Sequence, residues 1–303
     1  NFFKYIRLTL EEIQEMLNLI QNDCKMRKVS YLASLALATC VLFTSCSNEG
    51  DVVKQDEVSD AVMAKLVNAG FDVTNQAPIV FENGYLVEGD IYMTDADIDN
   101  LKEGLRLPVE EQYSTDNLVS TSGNRVITVY APVGGRNGYS SGMIAGLDLA
   151  IARYNAQNLE ISFQRVTSSG GADISMTRLS KRDERRGVLG SAGFPTASGD
   201  PYNQIKMSGI LESSYGLSTE GIATIIAHEM GHCIGFRHTD FFDRSISCGG
   251  GTSNEGDGGV GANHIPGTPT GATASAKSWM LACTDGGDRP FNNADETALD
   301  YLY

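Results

Sequence analysis

The chain has 303 residues, with 38 acidic against 23 basic side chains and a formal charge of −15. Binding nucleic acid requires a basic surface that displaces condensed counterions, so this balance excludes a nucleic-acid partner. Hydrophobic residues at 41% and charged residues at 20% suit a globular protein with a real core, unlike a disordered chain.

Residues 26–46 read as an address. Met26, Arg27 and Lys28 form a short basic stretch, an apolar run follows over 31–43, and Thr44, Ser45 and Cys46 close it. A transmembrane helix needs ~20 apolar residues, so the run is too short to span a bilayer. Basic, apolar and then small residues are the order of a secretory signal. A cysteine directly after the small residues resembles bacterial lipoprotein signals, with Phe43 standing where leucine is usual. The resemblance implies cleavage before Cys46 and lipidation of its thiol, giving an exported lipoprotein at the outer membrane or cell surface that processing could release. Membrane contact is then expected only through this N-terminal lipid anchor; plain secretion with cleavage elsewhere is the alternative. Residues 1–25 do not open with methionine, so Met26 is the expected start and 1–25 an upstream extension without function.

Residues 47–112 form a pro-region or accessory segment. Val58, Val62, Leu66 and Val67 mark an amphipathic helix ending at Gly70, Ile79, Val80 and Phe81 form an apolar patch, 85–92 is strand-like, and 95–101 is an acidic helix. About sixty residues are marginal as an independent domain, so this segment is expected to lean on the residues C-terminal to it.

From residue 113 the pattern becomes α/β. Strands are expected over 126–130, 159–166, 173–179, 186–194 and 204–207, with a helix over 142–157. A long helix begins near residue 218, capped by Ser218 or Thr219. Three cysteines remain after the signal in an oxidising compartment. Cys248 and Cys283 flank the glycine-rich segment 243–276 and are the preferred disulfide. Cys233 reads as a small buried hydrophobe, and its pairing with either of the others stays open.

The informative stretch is 224–240, which contains His228, Glu229, His232, Gly235, His238 and Asp240. His228 and His232 are four apart, so both imidazoles leave one helix face a turn apart. Two such nitrogens suit a metal at ~2.0–2.1 Å. Glu229, one step round from His228, can reach a water at that metal but is poorly aimed to be a ligand. On a continuous helix His238 would lie ~15 Å beyond His228. Two nitrogens on one tetrahedral zinc must lie within ~3.5 Å of each other, so the chain has to turn back first. Gly235 stands where it must turn, and glycine enters the left-handed conformation at a helix end without steric cost. Three neutral imidazoles leave a fourth position open, the mark of a catalytic zinc site.

His-Glu-x-x-His-x-x-Gly-x-x-His followed by a methionine turn resembles the metzincin signature, with Met280 of Ser278-Trp279-Met280 at the turn. The stretch also resembles the Bacteroidetes M57 group, the HEIGH metallopeptidases, whose usual isoleucine is Met230 here. Residues 187–195 resemble the substrate-binding edge strand of matrixins, and Phe291, Asp295, Ala298, Leu299, Leu302 and Tyr303 resemble their C-terminal helix. The resemblance covers about residues 113–303. It implies a metzincin-like α/β (α+β) catalytic domain with a twisted, mainly parallel sheet, an antiparallel edge strand, a backing helix and an active-site helix. A small N-terminal pro-region would precede it. Ser191 stands where matrixins have a structural-zinc histidine, and no tyrosine closely follows Met280, so one catalytic Zn2+ is implied and no astacin-type tyrosine ligand.

The implied reaction is metal-assisted peptide hydrolysis by a monomer, with Glu229 as general base and a polypeptide substrate. Substrate would pair as an added strand with Val188, Leu189, Gly190, Ser191, Ala192 and Gly193. Met280 would floor the metal. Asp240 is expected at a contact behind the ligands or in a solvated turn, and His264 as a structural or substrate-contacting residue. No cysteine lies between 46 and 233, which removes a cysteine switch. Gly89-Asp90 resembles the short Gly-Asp element of astacin pro-segments, making Asp90 the candidate latency ligand, with a plain turn aspartate as the alternative. Two readings remain: a lipid-anchored zinc endopeptidase, and a surface binding lipoprotein that keeps the fold without cleaving. Retention of Glu229 favours the first.

Overall fold

The computed structural model describes residues 57–74, 76–101, 112–251, 254–256 and 259–303. The stretch read as an export signal, with Cys46, and residues 1–25 lie outside the described residues. The described residues open with α1 (Asp60–Ala69), capped by Ser59 and closed at Gly70 with φ +98°. A meander follows, β1 (Ile79–Phe81), β2 (Gly84–Val87) and β3 (Ile91–Thr94), with antiparallel pairing throughout. Thr94 then starts α2 (Asp95–Asp99) through a reciprocal cap with Asp97. The remaining strands among the described residues are β4 (Tyr113–Ser114), β5 (Arg125–Tyr130), β6 (Ile161–Val166), β7 (Ile174–Arg178), β8 (Gly190–Ala192), β9 (Gln204–Met207) and β10 (Asn263–His264). The remaining α-helices among the described residues are α3 (Ser141–Asn155), α4 (Lys181–Arg185), α5 (Thr219–Cys233), α6 (Ser245–Cys248) and α7 (Asn293–Leu302).

The main sheet runs β1-β2-β3-β8-β9-β7-β5-β6. β5, β6, β7 and β9 pair in parallel and β8 runs antiparallel to β9. This is the mixed, mainly parallel α/β sheet expected, backed by α3 and α5, whose apolar faces fill the main core with Leu147, Ile151, Ile226 and Met230. No helix among the described residues is long and apolar enough to cross a membrane.

Two expectations need correction. Only Gly190–Ala192 of the proposed strand 186–194 is extended. Lys181–Arg185 forms a short helix capped by Ser180, and Val188 N–H still donates to Asp183 O, so the chain straightens only after Leu189. Charged residues without apolar periodicity gave no sign of this helix. At one edge the sheet does end on antiparallel strands, as expected, but these are β1 and β2 of the meander, while the stretch that resembles the substrate-binding edge strand, β8, lies inside the sheet. β3 pairs with it in parallel at Ile91 and Ala192, and Ala192 N–H donates to Asp90 O at 3.0 Å. Phe81 and Leu86 of the meander share a buried cluster with Leu179 and Val188, and Lys206 bonds Glu82. Residues 57–101 thus lean on the rest of the chain, since their own small cluster around Leu66, Phe71 and Ile98 also draws in Phe194.

Candidate metal centre and active site

Ser218 caps α5 by accepting from Gly221 N–H, and from Gly221 to Cys233 every residue of the helix is buried. The one-turn spacing brings the His228 and His232 rings to 4.7 Å between centroids. The helix stops at Cys233. Gly235 takes φ +104°, its N–H donates to His232 O, and Phe236 N–H donates to Gly231 O at 2.9 Å, a left-handed helix end that reverses the chain. Thr115 N–H holds the reversed segment through Gly235 O. His238 is thereby returned to 5.3 Å from the His228 ring and 4.9 Å from that of His232.

Each imidazole is oriented through Nδ1. That of His228 donates to Trp279 O at 2.9 Å, that of His232 to Phe236 O at 2.9 Å, and that of His238 to the Glu255 carboxylate at 2.8 Å. A donating Nδ1 leaves the Nε2 lone pair for a metal. Asp90 Oδ2 completes the group, 3.1 Å from His238 Nε2 and 3.4 Å from His228 Nε2. One ligand atom from each of Asp90, His228, His232 and His238 lies within 4.8 Å of all the others. His232 Nε2 is buried without a hydrogen-bond partner. Burial, reinforced by the neighbouring imidazoles, holds the His232 pKa well below the usual range, so the ring is neutral. An orphaned neutral nitrogen in a set of three imidazoles and a carboxylate fits zinc.

Glu229, 2% exposed, stands beside this group and outside it. Its carboxylate packs on Gly190, where a Cβ would overlap it, and Oε2 has no partner. Burial, with the Asp90 charge adding to it, raises its pKa well above the usual carboxylate range. Met280 is fully buried with its sulfur against Gly231, and its carbonyl accepts from Thr239 N–H at 2.8 Å.

Several contributors were not identified in the sequence. Glu255 is completely buried and accepts from Arg244 at 2.9 Å as well as from His238. Burial pushes its pKa up, but His238, Arg244 and Arg237 outweigh this and bring it down to about 2. Arg237 is itself fully buried and donates to Gly261 O at 2.9 Å. Glu88 is 1% exposed, with Oε2 3.8 Å from Arg244. No local signal marks these residues, since a buried carboxylate looks in sequence like any of the other acidic ones. Trp279, by contrast, could be anticipated from its place at the methionine turn.

Asp240 is buried and accepts from Ser247 Oγ at 2.6 Å and Ala282 N–H at 2.9 Å, tying the segment after the third histidine to the methionine turn. His264 lies in β10 paired with Tyr113, and its Nε2 is 3.0 Å from Thr268 Oγ1, away from the three histidines. Cys248 and Cys283 form a disulfide and Cys233 is free and buried. Of the six proposed edge residues, Gly190 and Ser191 pair with β9 on one side, as does Ala192, whose other side is taken by β3. Val188 and Leu189 precede the strand and Gly193 follows it, packed on Tyr202. A cleft of about 200 Å³ opens beside His228 and Glu229, lined by Leu189, Ile225, Trp279 and Leu281.

The family model described as dual-action HEIGH metallo-peptidase, M57, matches residues 85–303, which includes Asp90. No curated protein matches the chain. Two solved structures of myroilysin align with 57% and 60% of this chain and 81% and 95% of theirs, at 17% and 15% identity and TM-scores of 0.33 and 0.35. A structure of the GM1-bound form of the ECX AB5 holotoxin aligns with 61% of this chain and 80% of its own, at 18% identity and a TM-score of 0.34.

Proposed function

Because the chain belongs to the HEIGH metallopeptidase family, M57, we propose that this metallopeptidase is a zinc-dependent endopeptidase in a latent form, blocked by its own Asp90. The observation that carries the reading is the convergence of three Nδ1-anchored imidazoles on one point with the Glu229 carboxylate alongside.

His228, His232 and His238 would hold the zinc, which supplies Lewis-acid polarisation of a carbonyl and acidification of water. Glu229 takes the proton of the attacking water on a carboxylate oxygen and later delivers it to the leaving amine. Met280, fully buried with its sulfur against Gly231, would floor the metal, as the resemblance implies. An extended polypeptide adds as a strand along β8, whose backbone fixes it next to Glu229. In the latent form Asp90 takes the position that water needs, and β3 takes the strand position that substrate needs. Activation then requires residues 57–101 to leave. The signal pattern ending at Cys46 supports export and lipid anchoring of the same chain.

The deciding experiment is zinc analysis with cleavage of casein, before and after limited proteolysis, with Glu229→Ala and a chelator as controls. Processed, zinc-loaded protein should cleave, and both controls should abolish cleavage. Processed protein that binds zinc but leaves casein intact would instead be the non-cleaving surface lipoprotein. For latency, unprocessed Asp90→Ala should bind a small zinc-directed hydroxamate more tightly than the parent chain, since such a probe needs the open metal position but not the strand position held by β3. An affinity equal to the parent's would show that Asp90 is not the blocking ligand.

A further inference from the structure

The cleft beside Glu229 has apolar walls, Leu189, Ile225, Trp279 and Leu281, yet its lining includes two arginines, Arg244 and Arg289. They are 4% and 6% exposed. Arg289 Nη1 donates to Cys283 O at 2.9 Å and Nη2 lies 3.3 Å from the half-exposed Asp285 carboxylate. Its Nε has no hydrogen-bond partner. Arg244 gives Nη1 to Glu255 and Nη2 to Gln76 Oε1 at 2.9 Å, and Glu88 Oε2 lies 3.8 Å away. Gln76, Glu88 and Asp90 also line this cleft. The oxygens that answer Arg244 from Gln76 and Glu88 therefore come from the stretch that departs on activation.

On the proteolytic reading, the geometry points to a specificity site that takes an acidic side chain, Glu or Asp, from the substrate residue adjoining the scissile bond. Removing residues 57–101 takes Gln76, Glu88 and Asp90 out of the cleft and leaves apolar walls with two buried guanidinium groups. The departing segment shows what the cleft accepts, since it presents a carboxyl and an amide oxygen there. A substrate carboxylate replaces them through charge-assisted hydrogen bonds, about twice as strong as neutral ones. A neutral apolar side chain would leave buried donors unanswered, and sites built around hydrogen bonds reject such analogues strongly. Arg244 also supports Glu255 and through it His238, so Arg289 is the residue to vary.

The test is a peptide library presenting every residue on either side of the cut, offered to the zinc-loaded full chain after processing by limited proteolysis. Products are identified by mass spectrometry. Glu or Asp should be enriched about tenfold over Leu at one of the two adjoining positions. Arg289→Met should bring that ratio down to about one, and Arg289→Lys should retain part of it. Wild-type products without acidic enrichment, or an unchanged ratio in Arg289→Met, overturn the assignment. If nothing in the library is cut, the proteolytic reading fails and the cleft is judged by binding to processed Glu229→Ala. Labelled peptides carrying Glu should then bind about tenfold tighter than those carrying Leu, and adding Arg289→Met should abolish the difference. Equal binding of the two peptides overturns the acidic site.

Discussion

Glu255 accepts from His238 Nδ1 at 2.8 Å although the two residues are seventeen positions apart and a glycine-rich loop joins them. The contact turns a loop carboxylate into the group that sets the orientation of the third histidine. Glu255→Gln keeps the shape but weakens the acceptor, and zinc affinity should fall by about tenfold to a hundredfold. Competition against a chromophoric chelator measures it, and an affinity equal to wild type would show that Glu255 does not orient the ligand. Glu255→Leu should go further and destabilise the fold by about 3–5 kcal/mol, because Arg237 and Arg244 would stay buried without their carboxylate.

Gly190 is needed for space. A methyl there would overlap the Glu229 carboxylate. Gly190→Ala should leave zinc content unchanged, since the three histidines are not touched, while turnover by processed protein falls about a hundredfold through displacement of Glu229, the proposed base. Metal analysis beside peptide cleavage separates the two. Loss of zinc with full activity per bound ion would contradict the assignment.

The Cys248–Cys283 disulfide closes a loop of sequence separation 35 that carries Glu255 between its ends. Ser247 Oγ also accepts from Cys283 N–H at 2.9 Å, while donating to Asp240. Replacing both cysteines by serine should cost about 4 kcal/mol by the chain-entropy model. Urea unfolding of zinc-loaded protein checks this, and an unshifted midpoint would mean the hydrogen bonds alone hold the loop.

Asp295 supplies a pH dependence. It is buried beneath the methionine turn, accepts from Asn292 N–H at 2.9 Å and Trp279 N–H at 3.3 Å, and is also bonded by Gln112. Burial raises its pKa to about 7 despite these donors. Because the folded value lies above the unfolded one, near 3.8, the contribution is complete below about pH 4 and is lost as pH rises to about 7. Urea midpoints of wild type relative to Asp295→Asn should therefore fall from pH 4 to 7 and then level off. A difference that grows with pH would contradict this sign.

The motif was legible because its physics is local. The four-residue spacing puts His228 and His232 on one face of α5, and Gly235 can take φ +104° wherever its neighbours lie. Helix periodicity gave α1 and α3 to within a few residues, β-branched content gave β5, alternation gave β6, and β7 and β9 were also expected as strands. Periodicity failed at 181–194, where charged residues hide a short helix and β8 is only three residues long.

By itself, then, the amino-acid order determined the helix with its two histidines, the reversal that returns the third, the glutamate beside them and the class of metal they suit. Those features follow from backbone geometry within a few residues. Tertiary structure alone decided that β3 covers the edge of β8, that Asp90 faces His238, and that Glu255 and the two cleft arginines are buried. A charged side chain becomes an anchor, a block or a recognition group only through what long-range packing places around it, and that environment is not written at its own position.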